Sequence, residues 1–305
     1  MCAGGFSLER EVSLSSGRRV VDALVERGHD AALVDPGPGF VDELTAAGVE
    51  ACFLALHGRG GEDGDLQELL ETIGMPYTGS GPLACARCFD KSLARYELTA
   101  AGLPVPRGHS FSKNAFLRMG ARRALGTIAD DLGSPIVVKP ARQGSGLGIR
   151  VVEDRDQLAD AVLHVLAYDD QIVFEEYVHG AEYAIGLLGG GDEVRALPIV
   201  EVRSERPFYD YDAHYREGAA NLTVPAPLPD SGADQLRALA VAAYRALGCR
   251  GFGRVDIAVG RGGPAVLEVS PVPGLTDTSS FPAAARADGL SFGDLCQAIL
   301  EPVLA

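Results

Sequence analysis

The stretch Arg254 to Thr276, RVDIAVGRGGPAVLEVSPVPGLT, decides the fold, because folding it back on itself brings two acids to one point. Val255 to Val259 and Ala265 to Val269 are β-branched and apolar runs separated by a short Gly-rich loop, the pattern of a β-hairpin. If Val259 pairs with Ala265, the antiparallel register sets Asp256 opposite Glu268 on one face, with Cβ atoms about 5 Å apart. Two facing carboxylates in apolar strands repel and call for a cation between them. Ser270 lies two residues past Glu268 on the same face, and Arg254 lies two before Asp256. The set reads either as an oxygen-ligand Mg²⁺ site with a guanidinium beside it for phosphate, or as solvent-facing acids on a half-exposed hairpin.

Around this hairpin the chain has 305 residues, 47% hydrophobic and 23% charged, enough for two or three packed units. The net charge of -15 argues against nucleic acid or an anionic membrane as partner, so any anionic ligand has to be held by local cations. No apolar run approaches the roughly 20 residues that span a bilayer, and no charged segment leads into an apolar one at the N-terminus, which predicts a cytoplasmic protein. The cysteines Cys2, Cys52, Cys85, Cys88, Cys249 and Cys296 lie mostly among apolar residues and read as reduced fillers. Cys85 and Cys88 form a C-x-x-C, but no second pair or nearby His completes a zinc set.

Residues 1 to about 85 alternate short apolar strands with helices, as in an open parallel sheet. Ser13 to Arg27 has helical periodicity, with Val20, Leu24 and Val25 on one stripe and Gly28 as a stop. Ala31 to Val34 and Ala51 to Leu56 read as buried strands. Only Met1-Cys2-Ala3 precedes Gly4-Gly5, so either the first strand is stunted or the start of the chain is set late. From Lys91 the order is a helix (Ser92 to Ala101), a polar helical stretch, a strand (Ile136 to Lys139), a Gly-rich loop, a strand (Ile149 to Val152), a helix (Gln157 to Ala167) and a strand (Ile172 to Glu175). A third section from about Glu182 holds longer strands, an irregular loop from Ser204 to Asn221, the helix Gly232 to Leu247, the acidic hairpin and a closing helix.

Gln143-Gly-Ser-Gly-Leu-Gly148 is a phosphate-loop candidate, since glycines let backbone N–H groups approach an anion. It joins strand to strand, whereas the Rossmann and Walker loops join strand to helix, so the choice lies between a hairpin closing over phosphates and an ordinary turn. Lys139 ends an apolar strand, where a buried ammonium needs an anion, and Lys91 follows Asp90 at a unit boundary. Glu175-Glu176-Tyr177-Val178, with Glu182 beyond, suits an adenine-binding hinge or a solvated acidic turn. Ser7 and Glu9 are helix-start residues or, equally, the holders of a substrate ammonium.

The segments GGFSLEREVSLSSG (4 to 17), LHGRGGEDGDLQELLE (56 to 71), PYTGSG (76 to 81), FDKS (89 to 92), VVKPARQGSGLGI (137 to 149), FYDYDAHY (208 to 215), GRVDIAV (253 to 259) and LEVSPVPGLTDTSSFP (267 to 282) resemble, in order and over nearly the full length, the D-alanine–D-alanine ligases of the ATP-grasp superfamily. The resemblance implies an α/β ATP-grasp fold: an N-terminal open parallel sheet domain (1–85) for substrate, a small central α+β domain (86–180) and a C-terminal α+β catalytic domain (181–305). It implies that ATP phosphorylates the carboxylate of one D-amino acid and that the amine of a second attacks the acyl phosphate. Lys91 and Lys139 would then hold phosphates, Glu175, Glu176 and Val178 the adenine, and Glu182 the ribose. Glu9 would bind the first substrate's ammonium, with His57 beside it, and Ser145 and Tyr215 would join the closing loops. Arg254 and a backbone N–H near Gly274 would stabilise the oxyanion, and Ser279 would receive the second substrate's carboxylate. Asp256 and Glu268 would carry Mg²⁺ as two ions, with Mn²⁺ as a substitute, and the family implies a homodimer.

The chain departs from that family at several positions. Ser270 stands where the family has a metal-ligating Asn, so the second ion is held more weakly. His214 replaces a Lys of the mobile loop, near the γ-phosphate, by a group that titrates near neutrality. Ser280 stands for a Leu of the second-substrate pocket, removing about 1.5 to 3 kcal/mol of apolar contact and leaving space and a hydroxyl. Gly146 replaces the second Ser of the phosphate loop. These changes keep two further readings open: a specialised dipeptide, depsipeptide or cyclising ligase of secondary metabolism, and a degenerate relative that binds nucleotide without turnover.

Overall fold

A computed structural model describes residues 1–204 and 220–304. In the N-terminal part, α1 (Arg10–Glu26) buries Val20 and Leu24. Val25, expected on the same stripe, is 52% exposed, because one further residue turns it about 100° away from Leu24. Gly28 follows with φ 88°, a left-handed conformation suited to ending a helix. Two short helices, α2 (Phe40–Ala46) and α3 (Asp65–Thr72), complete this part. The expected strands contract to single parallel bridges, Cys2 with both Val34 and Leu54, and Cys52 with Tyr77. Cys2 N–H donates to Phe53 O at 2.8 Å and Ala3 N–H to Val34 O at 3.1 Å.

Asp90 ends α4 (Pro82–Phe89) and caps α5 (Lys91–Ala100), its carboxylate accepting from the N–H groups of Ser92 and Leu93. Next come β1 (Gly108–Ser112), α6 (Lys113–Met119), α7 (Ala121–Leu132), β2 (Ile136–Pro140), β3 (Arg150–Val152), α8 (Leu158–Val165) and β4 (Gln171–Glu176). The strands form an antiparallel sheet in the order β1-β4-β2-β3, on which Phe116, Ile128, Val138, Leu158 and Phe174 build a core. The Gly-rich loop after Pro140 joins the antiparallel β2 and β3, strand to strand.

The last part holds β5 (Gly180–Leu188), β6 (Arg195–Ala196), β7 (Val200–Ser204), β8 (Ala220–Thr223), α9 (Asp230–Ala246), β9 (Phe252–Gly260), β10 (Gly263–Ser270), α10 (Ser280–Ala287) and α11 (Phe292–Leu304). Its sheet runs β10-β9-β5-β7-β8, with β6 on β5. Successive residues of β5 serve two cores. Tyr183, Ile185 and Leu187 pack with α9, α4 and α5, whereas Ala184 and Leu188 pack with Phe281, α11, α1 and Phe53. A strand covered on both faces needs the unbroken apolar run that β5 has. Most of the predicted loop from Ser204 to Asn221 lies outside the described residues.

The hairpin departs from the expected register. Val259 pairs with Pro264 rather than Ala265, because only Arg261 and Gly262 lie between Gly260 and its partner Gly263. A bulge then inserts Leu267 between Val266 and Glu268, and beyond it Asp256 stands opposite Glu268, Val255 opposite Val269 and Arg254 opposite Ser270. The acids therefore face each other as expected, through a two-residue turn plus an extra residue. The bulged Leu267 lies on the wall of the cleft formed there.

Candidate active site

Between the two sheets lies a cleft enclosing about 1070 Å³, its open mouth included. Strands β2 and β4 supply Lys139, Glu175 and Glu176, β5 supplies Glu182, and the hairpin supplies Arg254, Asp256, Leu267 and Glu268. Val178, Lys91, Ser145 and Ser280 also line it. The charge that the facing acids call for is present as two side chains. Arg254 donates from Nε to Asp256 Oδ1 and from Nη2 to Oδ2, both at 2.8 Å, and Lys91 Nζ lies 3.6 Å from Glu268 Oε2. Burial nevertheless pushes the Asp256 carboxyl up from its ordinary value, against the pull of Arg254 and with Glu268 adding to the rise.

Lys91 Nζ also donates to the Gln143 carbonyl at 2.7 Å, which ties the base of the Gly-rich loop to α5. Lys139 Nζ lies 2.6 Å from Glu175 Oε2 with both side chains buried, so the Glu175 carboxylate neutralises this lysine. Glu176 is drawn to Arg107, whose Nε donates to Oε2 at 2.9 Å. Both hinge acids are thus paired with cations, Glu175 inside the protein and Glu176 at its surface. Glu182, well inside the cleft, is pushed up to about 7 by burial first and by Asp256 second.

A smaller chamber of about 300 Å³ shares Ser145, Arg254 and Glu268 with the cleft. His57, Glu62, Gly144, Ser270, Val272 and Gly274 close it. Glu9 stands just behind, 2% exposed. It occupies the N-cap of α1 but makes no capping bond with its side chain. Instead the Ser145 hydroxyl donates to Glu9 Oε1, which joins α1 to the Gly-rich loop. A Cβ at Gly58 would come within 2.4 Å of Glu9 Oε2, and one at Gly144 within 2.8 Å, so both glycines are needed for the close approach. Burial and then the charge of Glu62 push Glu9 up to about 7; Ser145 and His57 oppose the rise and Glu268 adds to it.

The His57 ring is 3% exposed, with Nε2 3.4 Å from Ser16 Oγ and Nδ1 3.5 Å from Glu62 Oε1. Glu62 and Ser16 are site residues that the sequence reading passed over. An acid on a Gly-rich loop and a serine inside a helix carry no spacing signal, and only the fold brings them to His57. On the opposite side, Ser279 Oγ accepts from Thr276 N–H at 3.2 Å and lies 2.8 Å from Thr276 Oγ1, while a Cβ at Gly274 would come within 2.7 Å of it. Ser280 is buried at the cleft wall, and Ser270 faces the chamber. His214 and Tyr215 lie outside the described residues.

The chain was compared with known proteins. A family model described as D-ala D-ala ligase C-terminus matches residues 98–301, and one described as D-ala D-ala ligase N-terminus matches residues 38–80. The D-alanine–D-alanine ligase of Desulforudis audaxviator is 41% identical over 299 residues, covering 98% of this chain and 95% of that protein. This chain belongs to the D-alanine–D-alanine ligase family. The family's ligase from Alkalilimnicola ehrlichii is 43% identical over 298 residues, 97% of this chain and 91% of that protein. Among solved structures, the family's Bacillus anthracis ligase complexed with ATP superposes with a TM-score of 0.84 at 30% identity, covering 99% of this chain and 95% of that one. The VanG D-Ala:D-Ser ligase from Enterococcus faecalis does so at 0.79 with 26% identity, covering 100% and 98%. The fold is accordingly the ATP-grasp fold, and the chain is an ATP-dependent ligase of the kind that forms carbon–nitrogen bonds.

Proposed function

We propose that the protein joins two D-amino acids, of which the donor is activated through its carboxylate and the acceptor supplies the amine. The observation that carries this reading is the wall of Ser145, Arg254 and Glu268 shared by the large cleft and the small chamber. A triphosphate in the cleft and an amino acid in the chamber would meet across it, which is the proximity that phosphoryl transfer requires.

In this reading the donor's ammonium lies against Glu9 with His57 beside it, and its carboxylate takes the γ-phosphoryl group as ADP leaves. The acceptor's amine, having lost its proton, then attacks the acyl carbon, and the tetrahedral intermediate expels inorganic phosphate. Lys91 and Lys139 hold the phosphates, Arg254 and the N–H near Gly274 face the developing oxyanion, and Ser279 takes the acceptor's carboxylate. Glu175, Glu176 and Val178 flank the adenine and Glu182 the ribose, while Ser145, with Tyr215 of the segment that also carries His214, closes the loops. Asp256 and Glu268, with Ser270 beyond, would hold Mg²⁺: they are hard oxygen donors that face each other across β9 and β10. When bound, the ion would neutralise phosphate charge. The division at residues 85 and 180, a homodimer, and a cytoplasmic location where ATP is made belong to the same proposal.

A second acceptor is favoured by one observation, the buried Ser280 hydroxyl on the cleft wall. It suits an acceptor larger or more polar than D-alanine. The deciding measurement is phosphate release from Mg·ATP with D-alanine, D-serine, D-lactate and other D-amino acids, with products identified by mass. D-Ala-D-Ala with D-alanine alone is the expected result. Release only when another acceptor is added establishes the specialised ligase, and ATP binding without release under any condition overturns the ligase reading.

A further inference from the structure

The loop that carries Gly274 and Ser279 is fastened from outside the site by two side chains of α1. Arg19 Nη1 donates to the Leu275 carbonyl at 2.7 Å, Nη2 lies 2.7 Å from Asp277 Oδ1, and the guanidinium carbon sits 3.7 Å from the centre of the Phe292 ring. Ser16, three residues earlier on the same helix face, accepts from the Leu275 N–H at 3.4 Å and lies 3.4 Å from His57 Nε2. Both backbone polar groups of Leu275 are therefore tied to α1. Asp277 is 81% exposed, so its ion pair contributes little. The bond to the carbonyl and the stacking on Phe292 do the holding, and a planar guanidinium suits both at once.

The Leu275 side chain is buried in the core with Val272 and Phe281, and beyond it the loop runs through the Thr276 and Ser279 contacts described above into α10. The backbone of Leu275 is the point at which α1 sets the loop against the chamber. Arg19 lines neither the cleft nor the chamber, but a separate surface pocket with Phe292. We propose that Arg19, assisted by Ser16, is the positioning residue that sets the Gly274–Ser279 loop against the acceptor amino acid. Through Ser16, the acceptor loop is joined to His57 on the donor side. This assignment rests on the ligase reading, because it presumes that Ser279 and the N–H near Gly274 meet the acceptor and the oxyanion.

The test separates acceptor binding from the rest of the reaction. D-Alanine would fill two sites, so its saturation curve in a phosphate-release assay yields a donor constant and an acceptor constant, and ATP a third. In Arg19→Ala the acceptor constant should rise about tenfold, since a displacement of well under 1 Å suffices for that, while the donor and ATP constants stay within about twofold of wild type. Arg19→Gln keeps part of the stem and an N–H donor but loses the guanidinium over Phe292, and should fall between the two. If Arg19→Ala is not recovered folded, Arg19→Gln decides by the same split. An unmoved acceptor constant, or three constants rising together with a lowered melting temperature, overturns the positioning role. A wild-type protein that releases no phosphate with D-alanine overturns the ligase reading instead.

Discussion

Glu9 is a carboxylate pressed between two glycine backbones with Glu62 and Glu268 in electrostatic reach, so its ionised form is disfavoured in the folded protein. Its carboxyl rises from 4.5 to about 7 on folding. A carboxyl raised in this way binds its proton more tightly when folded, so stability from this group is greatest below pH 4.5 and falls as pH climbs from 4.5 through 7. The full difference at pH 8 is about 3 kcal/mol for a group this buried. Glu9→Gln should therefore leave the unliganded protein more stable than wild type by up to about that amount at pH 8 and nearly unchanged at pH 4.5, while ligation collapses. Urea unfolding at both pH values checks it, and equal stabilities at pH 8 would remove the strain assigned to Glu9. That Lys91, Lys139 and the hairpin acids meet at one cleft was legible in the sequence, because each is a charge in an otherwise apolar or glycine-rich setting, whereas the segment of Glu9 suited a helix start equally well. Glu62 was not legible, since nothing local distinguishes it from a solvated loop acid.

Among elements, the hairpin shows which part of a register can be read from a sequence. Alternation of apolar and acidic residues put Asp256 against Glu268, but a bulge is one extra residue that alternation alone does not locate. Leu267 breaks the alternation because both the strand face and the cleft wall need an apolar residue there. The loop between β2 and β3 carries the complementary lesson: strand-to-strand topology separated it from helix-opening phosphate loops, yet its anchorage to α1 through Ser145 and Glu9 needed coordinates. Gly144 makes that anchorage possible, and it is not among the glycines with positive φ, so alanine is allowed by the backbone there. Gly144→Ala should fold normally by circular dichroism and still lose more than about tenfold in kcat/KM for the donor amino acid, because its Cβ displaces the Glu9 carboxylate. Wild-type kcat/KM in that variant would mean that the loop and Glu9 separate in the working enzyme.

At the scale of the whole molecule, the cleft stands between a sheet whose core is local to residues 111–174 and a sheet whose cores are built from distant parts of the chain. Val20 and Leu24 of α1 share a core with Phe281 and Ile299, a contact across more than 250 residues that no periodicity announces. The chain carries a net charge of -15, yet the cleft offers Lys91, Lys139 and Arg254 to an anion, each now held against a carboxylate or carbonyl of the protein itself. In the proposed function nucleotide would displace those acids, and a divalent ion at Asp256 and Glu268 would relieve the repulsion that displacement creates. ATP with Mg²⁺ at about 100 times its dissociation constant should stabilise the fold by roughly 2.7 kcal/mol, about 5 °C in melting temperature for a chain of this size. With EDTA in place of Mg²⁺ the shift from the same ATP should fall by more than half, and Lys139→Met should lose most of it in either condition. Differential scanning fluorimetry reads all three, and a shift indifferent to chelation would mean that the two acids bind no ion and keep Arg254 and Lys91 as their partners.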